Sequence, residues 1–295
     1  VYRTNVFQLH PQGNKIEYFC GPKAFGIKGY PALTKAKYVS RQYIPELERL
    51  GEEIDAIGPN LVIALGNTPL WALTGKTGIS KIRGTTSITT HTVSGYKLLA
   101  TYHPAAVLRQ WELRPTTVID LIKAKREAEY AEVRRPKREI WIEPTLEDID
   151  EFQRRYISQC KILSVDIETS GNQVTCIGFA PNPGIGIVIP FLDSRRKDRN
   201  YWQDSAAELK AWKIISGVLT DPGIKKVFQN GLYDIAFLLR SMNIRVRGAT
   251  HDTMLLHHAL QPESLKGLGF LGSIYTDEGP WKTERKHSTT IKADE

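Results

Sequence analysis

The feature that most constrains the fold is an apolar run that carries two acids, Ile162-Leu163-Ser164-Val165-Asp166-Ile167-Glu168-Thr169. Side chains two residues apart on a strand point to the same face, so Asp166 and Glu168 are expected to project together from one β-strand. Two neighbouring carboxylates are unfavourable unless cations neutralise them. A pair of divalent cations is the usual solution, and the pattern therefore predicts a metal site of the kind that cleaves phosphodiesters.

The positive charge of the chain is concentrated in its first half. Residues 1–138 contain 21 Lys and Arg against 11 Asp and Glu, whereas residues 139–295 contain 19 against 21. A basic module before a near-neutral one favours contact between the first half and a polyanion, although a merely solvated surface gives the same composition. No apolar run approaches the roughly 18 residues of a membrane span, so we expect no membrane contact.

The order of apolar segments predicts two α/β domains. In the first part, apolar strands such as residues 60–67 alternate with helices, which favours a parallel sheet in an α/β/α arrangement. In the second part, three strands precede alternating helices and a strand, which is the order of a ribonuclease-H-like fold with a mixed sheet. A charged helix ends at Pro136, because proline cannot continue a helix. We therefore predict a domain at 1–135, a linker at 136–142 and a second domain at 143–295.

Two acidic motifs give the second domain a resemblance to a known family. They are Asp166-Ile167-Glu168-Thr169 and Asn230-Gly231-Leu232-Tyr233-Asp234, in that order. Both resemble motifs of the 3′-5′ proofreading exonuclease of family A DNA polymerases, a member of the DnaQ-like group with four metal-binding acids. Segments at 252–255 and 268–275 also resemble the family's downstream helices, so the resemblance covers roughly residues 139–285.

The resemblance implies roles for individual residues. Asp166 and Glu168 would bind the metal that activates water, and Asp234 would help to hold a second metal. These three acids are thus the expected catalytic and metal-binding residues, with two divalent cations as cofactors. Oxygen ligands do not decide between Mg²⁺ and Mn²⁺. The residues implied to contact the terminal nucleotide are Asn230, Tyr233 and Thr169.

One acid of the family pattern has no counterpart in this sequence. The family carries it in a Tyr-x-x-x-Asp motif, and none of the acids from Asp277 to Glu295 has a tyrosine four residues before it. We expect that motif, and a polymerase domain, beyond Glu295, because the chain reads as part of a longer protein. Asp252 is expected to be structural and to cap the helix that follows it.

The first domain resembles the uracil-DNA glycosylase superfamily, and within it the family 4 branch. The most specific match is Thr101-Tyr102-His103-Pro104-Ala105-Ala106-Val107-Leu108-Arg109, and shorter matches begin at Thr4, Pro11, Leu61, Leu73 and Arg83. The resemblance implies that Asn5 reads the edge of a flipped uracil and that His103 donates to its O2 atom. Arg109 would approach a phosphate. A histidine that only caps its loop would satisfy the same sequence.

Two departures leave excision by the first domain open. The family's water-binding loop would precede Val1, and Leu9 stands where a cluster-ligating cysteine is expected. Cys20 has no partner at suitable spacing, and a thiolate-bound iron–sulfur cluster needs four ligands, so no cluster is expected. The three cysteines, Cys20, Cys160 and Cys176, fit a reducing cytosol.

Three functions are compatible with these observations. The leading hypothesis is the amino-terminal part of a DNA polymerase in the cytoplasm of a bacterial or phage-infected cell, which trims single-stranded 3′ ends of primer–template DNA. The second is a nucleic-acid-binding fragment whose metal site is incomplete. The third is a repair enzyme that excises uracil.

The cysteine pattern yields a first prediction. The purified protein should lack the broad absorption near about 400 nm that thiolate-bound iron–sulfur clusters produce. An absorption band there, accompanied by stoichiometric iron, would contradict the sequence argument.

Overall fold

The computed structural model describes residues 1–278 of the 295-residue chain. Two compact units divide these residues: residues 1–135 join with the segment that follows Lys266, and residues 136–266 form the other unit. In the described part of the chain, no helix combines the length and the apolar character that crossing a membrane requires.

The first unit is built around a small mixed sheet. Its helices and strands are β1 (Cys20–Gly21), β2 (Tyr38–Val39), α1 (Ile44–Ile57), β3 (Val62–Leu65), α2 (Asn67–Thr74), α3 (Ile79–Ile82), β4 (Thr86–Thr90), β5 (Ser94–Thr101), α4 (Pro104–Arg109) and α5 (Arg114–Glu127). Strands β3 and β5 are parallel, as the sequence predicts, and β4 pairs with β5 in antiparallel register. Strand β4 was missed because its mostly polar Thr-Ser-Ile-Thr-Thr sequence has no apolar run.

The core of the first unit forms between helices α1 and α2 and the sheet. Leu70, Trp71 and Leu98 are fully buried there, and the indole N–H of Trp71 donates to the carbonyl of Pro31 at 2.9 Å. Burial of each such side chain contributes about 1.5–3 kcal/mol of transfer free energy. This packing fixes the carboxyl ends of β3 and β5, which carry the glycosylase-like motif.

The second unit is a six-stranded mixed sheet with the order β11-β10-β7-β8-β9-β6. Its helices and strands are β6 (Glu139–Ile142), α6 (Leu146–Phe152), β7 (Ile162–Ser170), β8 (Gln173–Asn182), β9 (Ile185–Pro190), α7 (Ser205–Thr220), β10 (Lys225–Phe228), α8 (Leu232–Met242), β11 (Ala249–Asp252) and α9 (Thr253–Leu260). Strands β7, β8 and β9 form an antiparallel meander, and β10 and β11 add to β7 in parallel. From β7 to α8, the order of strands and helices is the predicted one.

Two strands correct the sequence analysis of this unit. The predicted linker at 136–142 contains β6, which pairs in parallel with β9 because its Ile-Trp-Ile sequence supplies an edge strand. The second is β11, formed by residues 249–252 immediately before α9, where the sequence analysis contains no strand. Short edge strands of this kind depend on pairing with a neighbouring strand, which local sequence does not encode.

The last described helix contacts the first unit. This helix, α10 (Leu268–Tyr275), groups with residues 1–135 by its contacts, while the predicted second domain at 143–295 contains it by sequence. Ser273 accepts a hydrogen bond from Arg83, and the carbonyl of Thr276 accepts one from Lys123. Residues 279–295 of the predicted second domain lie outside the described residues. Local sequence cannot reveal that α10 packs against the first unit, because this packing depends on a buried partner about 150 residues away.

Asp252 joins two segments of the second unit. Its carboxylate accepts hydrogen bonds from Met254 and Leu255, which caps α9 as predicted, and from Asn230 and Gly231 ahead of α8. Burial acts to raise the pKa of Asp252, but the four backbone N–H donors outweigh burial and lower the pKa. The charged form therefore stabilises the fold.

A substitution at Asp252 tests this. Asp252→Asn should lower the local free energy of opening at pH 7 by about 1.5–3 kcal/mol, since a charged acceptor is lost. A carboxylate with a lowered pKa contributes its stability above about pH 4 and loses it as the pH falls further. The difference between variant and wild type should thus shrink at pH 3, measured by hydrogen exchange of the α9 amides. Asp204→Asn, at a cap with one donor, Ala207 N–H, is the matched control and should have a smaller effect. Equal effects for both variants would contradict the argument.

Candidate nuclease site and base pocket

Asp166 and Glu168 lie where the sequence predicts them, two residues apart on one face of β7. Residues of this strand alternate strictly, so Leu163, Val165 and Ile167 are buried while both acids are exposed. The buried residues pack against helices α6 and α7. The acids therefore project from the opposite, open face of the sheet.

A groove lies on the face of the sheet that carries Asp166. In the antiparallel register, Asp166 faces Gly178 on β8, which contributes no side chain of its own. A groove of about 370 Å³ runs along the same face, lined by Asp166, Ser164, Gly178, Gly186 and Val188 among others. The pairing of β7 with β8 shifts register immediately after Glu168, and such a bulge changes the direction of the following side chain.

Asp234 meets the pair of acids from a separate element. It lies in the first turn of α8 and is 6% exposed. Its Oδ1 atom accepts a hydrogen bond of 3.2 Å from the backbone N–H of Ile167, the residue between the two strand acids. Burial raises the pKa of Asp234, and the charges of Asp166 and Asp252 raise it further, while the Ile167 N–H acts in the opposite direction. Three carboxylates thus converge on one short stretch of β7.

The implied nucleotide-contacting residues surround this point. The Tyr233 and Thr169 hydroxyls lie 2.6 Å apart in a hydrogen bond, which ties the start of α8 to the end of β7. The Tyr233 ring is about half exposed beside Phe237, so it is available to a ligand. Asn230 is exposed, and its left-handed backbone is held by the N–H bond to Asp252.

The three acids carry the oxygen ligands that a divalent metal ion needs, but their side chains are not arranged around a common point in this structure. Within residues 1–278, no three Asp, Glu, His or Cys side chains stand in an arrangement that could hold a metal ion. One Asp234 oxygen is turned to the Ile167 amide, while Asp166 and Glu168 lie on the open face. Carboxylate oxygens are nonetheless the ligands that Mg²⁺ and Mn²⁺ prefer.

In the first unit, His103 stands at the carboxyl end of β5 next to Gly66 at the end of β3. These two strand ends approach each other so closely that a β-carbon added to Gly66 would lie 3.3 Å from the β-carbon of His103. His103 caps α4, because its Nδ1 atom accepts a hydrogen bond from the N–H of Ala105 at 3.1 Å. An accepting Nδ1 leaves the ring proton on Nε2, so the exposed side of the imidazole presents a donor.

The other residues implied for the first unit have hydrogen-bond partners of their own. Asn5 is exposed, and its carbonyl accepts from Arg49 at 2.8 Å, while the Arg109 Nε donates to the Ala105 carbonyl. Neither is hydrogen-bonded to His103 in the described part of the chain. Trp71 is a core residue, whereas Trp111 is 62% exposed beneath the guanidinium of Arg114.

Sequence reasoning missed a buried ion pair behind His103. Arg83 and Asp120 are almost fully buried and form two hydrogen bonds with each other, and Thr101 donates to the same carboxylate at 2.6 Å. Thr101 is two residues before His103. No apolar pattern in the sequence announces this pair, because α5 buries polar residues, among them Asp120 and Lys123, while Leu121 and Ile122 are exposed.

Each of the two parts of the chain matches a known protein family. Residues 1–130 match the family described as the uracil DNA glycosylase superfamily, and residues 145–290 match the family described as 3′-5′ exonuclease. A DNA polymerase of Bacillus phage SP01 is 23% identical over 242 residues, which are 72% of this chain and 25% of that protein. The chain therefore spans about a quarter of the length of this relative.

Several solved nuclease structures are distantly similar. RNase D of Trypanosoma brucei in complex with GMP matches with a TM-score of 0.40 and 14% identity, covering 52% of this chain and 47% of that one. NrnC of Brucella melitensis matches with a TM-score of 0.33 and 18% identity, covering 49% and 63%. The EXD2 exonuclease domain soaked in Mg and dGMP matches with a TM-score of 0.33 and 15% identity, covering 46% and 68%.

The two family matches fall on the two parts of the chain for which the sequence motifs predict them. The predicted resemblances are confirmed at the level of both families. Residues 1–130 thus match the uracil DNA glycosylase superfamily, and residues 145–290 match the 3′-5′ exonuclease family.

Proposed function

We propose that this chain hydrolyses phosphodiester bonds at the 3′ ends of DNA in a reaction that depends on divalent metal ions. The observation that carries the proposal is the hydrogen bond from Ile167 to Asp234, which gathers a third carboxylate at the strand that bears Asp166 and Glu168. Acids from two separate elements converge here beside an open groove. Simple structural capping does not require this convergence.

Each residue would have a distinct task. Asp166 and Glu168 would hold a divalent cation from the open face of β7, and Asp234 would complete the set. Burial raises the pKa of Asp234, so a nearby positive charge would favour its ionised form. When bound, such a cation supplies stabilisation of the charge on the scissile phosphate and a more acidic water. Tyr233 and Thr169 would limit the site on one side and contact the terminal nucleotide.

The role of the whole protein is a broader proposal. The similarity to a phage DNA polymerase supports proofreading in replication, with primer–template DNA as the partner and a polymerase domain elsewhere in the full protein. The excess of basic residues in the first half supports contact with the DNA backbone. The nuclease proposal for residues 136–266 does not depend on this larger assignment.

The 295-residue chain itself provides the test. A single-stranded DNA labelled at its 5′ end is incubated with Mg²⁺ or Mn²⁺, and shortening from the 3′ end is measured. Asp166→Ala should reduce the rate by about 100-fold or more, which corresponds to about 2.7 kcal/mol. The matched control is Asp150→Ala, since Asp150 is an exposed acid of the same unit whose carboxylate pairs with Arg154 on the same helical face. The control should remain within about twofold of wild type.

Calorimetric titration with Mn²⁺ accompanies the assay. Metal binding that is lost in Asp166→Ala but retained in Asp150→Ala supports the site. If wild type neither binds Mn²⁺ nor shortens DNA, or if Asp166→Ala shortens DNA at the wild-type rate, the nuclease proposal is wrong. DNA binding without cleavage would then favour the hypothesis of an incomplete binding fragment.

A second function is proposed for the first unit on a different observation. The exposed Nε2–H of His103, fixed by the Ala105 hydrogen bond, suits a carbonyl oxygen such as uracil O2. We propose that this unit binds uracil in DNA, with Asn5 as a further contact. Binding needs only this donor, whereas excision needs a positioned water as well.

Uracil recognition is tested by comparing oligonucleotides that differ only in uracil or thymine. His103→Ala should abolish any preference for uracil measured by fluorescence anisotropy. His10→Ala, at an exposed histidine of the same unit, should retain the preference. Alkali-sensitive abasic sites would identify an excising enzyme, and equal affinity of wild type for both oligonucleotides would refute the proposal.

A further inference from the structure

Helix α10 contacts the first unit through buried charge rather than through apolar packing alone. The Nζ atom of Lys123 on α5 donates to the carbonyls of Gly84, Ser273 and Thr276 at 2.7–2.9 Å. Two of these carbonyls belong to the carboxyl end of α10, where the helix dipole is negative. Lys123 is 7% exposed, and burial lowers its pKa while Asp277 and Asp120 raise it.

A second buried cation reaches α10 at the same place. Arg83, 1% exposed, donates from Nη1 to the Ser273 hydroxyl at 3.0 Å, and its guanidinium also lies 5.7 Å from the centre of the Phe270 ring. The close approach of α10 requires glycine at position 84. A β-carbon there would lie 2.6 Å from Oδ1 of Asp120 and 3.2 Å from the Ser273 carbonyl oxygen. Two buried cations face one buried anion, Asp120, so the oxygens of α10 supply the missing acceptors.

The same network continues to the strand end that carries His103. Asp120 binds Arg83 on one side and accepts from the Thr101 hydroxyl at 2.6 Å on the other. The Thr101 carbonyl accepts from Gly66 N–H at 2.8 Å, which joins the ends of β5 and β3. Every side chain between Ser273 and Thr101 is buried, so water cannot replace these partners readily.

We propose that α10 positions His103 at the carboxyl end of β5. It does so through a series of hydrogen-bonded side chains, which are Ser273, Arg83, Asp120 and Thr101. The exonuclease family match also covers α10, so one short segment belongs by sequence to one domain and by contact to the other. Ser273 and Arg83 are positioning residues, since they act on His103 only through Asp120 and Thr101. This positioning lies entirely within the first unit and does not require nuclease activity.

The docking of α10 is tested in the whole 295-residue chain with two lysine variants of α5. Lys123→Met removes the donor to three carbonyls, and Lys125→Met removes an exposed charge two residues away. Hydrogen exchange at residues 268–276 should accelerate about tenfold or more in Lys123→Met, since a buried charged donor is lost. Lys125→Met should exchange like wild type. Equal exchange in the two variants would overturn the proposal.

The positioning role needs a readout that docking alone would not change. The imidazole resonances of His103, assigned with His103→Gln, are compared in Ser273→Ala and Ser273→Thr. Ser273→Ala should shift or broaden them and accelerate exchange at residues 101–106, while Ser273→Thr, which keeps the hydroxyl, should restore both. Unchanged His103 signals in Ser273→Ala would overturn the positioning role, even if α10 is loosened. This pair also carries the test if Lys123→Met does not fold, and its outcome is independent of whether the unit binds uracil.

Discussion

The arrangement of the nuclease site depends on one hydrogen bond, from the backbone of Ile167 to the buried carboxylate of Asp234. The bond fixes α8 against β7 at the residue between the two exposed acids. Because Asp234 is desolvated, its negative charge is unfavourable without positive charge nearby, and the neighbouring Asp166 adds to this effect. The fold thus concentrates negative potential where a cation would be needed.

The charged groups singled out in the two units differ in setting. In the second unit, the buried carboxylate of Asp234 meets the strand that carries Asp166 and Glu168, beside an open groove, which is typical of a site that binds cations. In the first unit, buried cations are matched by a carboxylate and by helix carbonyls, which is typical of a structural network. This contrast is why the acids of the second unit suggest chemistry, whereas Arg83 and Lys123 suggest fixation of a loop.

Much of the fold could be predicted from local patterns, because β7 alternates apolar and polar residues without interruption. The same alternation placed Asp166 and Glu168 correctly on one face. The convergence of Asp234 required the family resemblance, since 66 residues separate it from Glu168 and no local rule joins them. Strands β4, β6 and β11 could not be predicted because they are short and owe their conformation to neighbouring strands. The buried partners of Ser273 could not be predicted either, because they are distant in sequence.

The first unit is built from two segments that are separated in sequence, and this separation sets an order for folding during synthesis. Its last described helix, α10, follows the second unit along the chain. At ~5–20 residues per second, a ribosome would need roughly 7–30 s between completing α5 and completing α10. During that interval Lys123 and Arg83 would lack acceptors from α10, so the nascent amino-terminal domain would stay locally open. The nuclease fold, contiguous in sequence, would reach its native state first, and the earlier-made domain would close last.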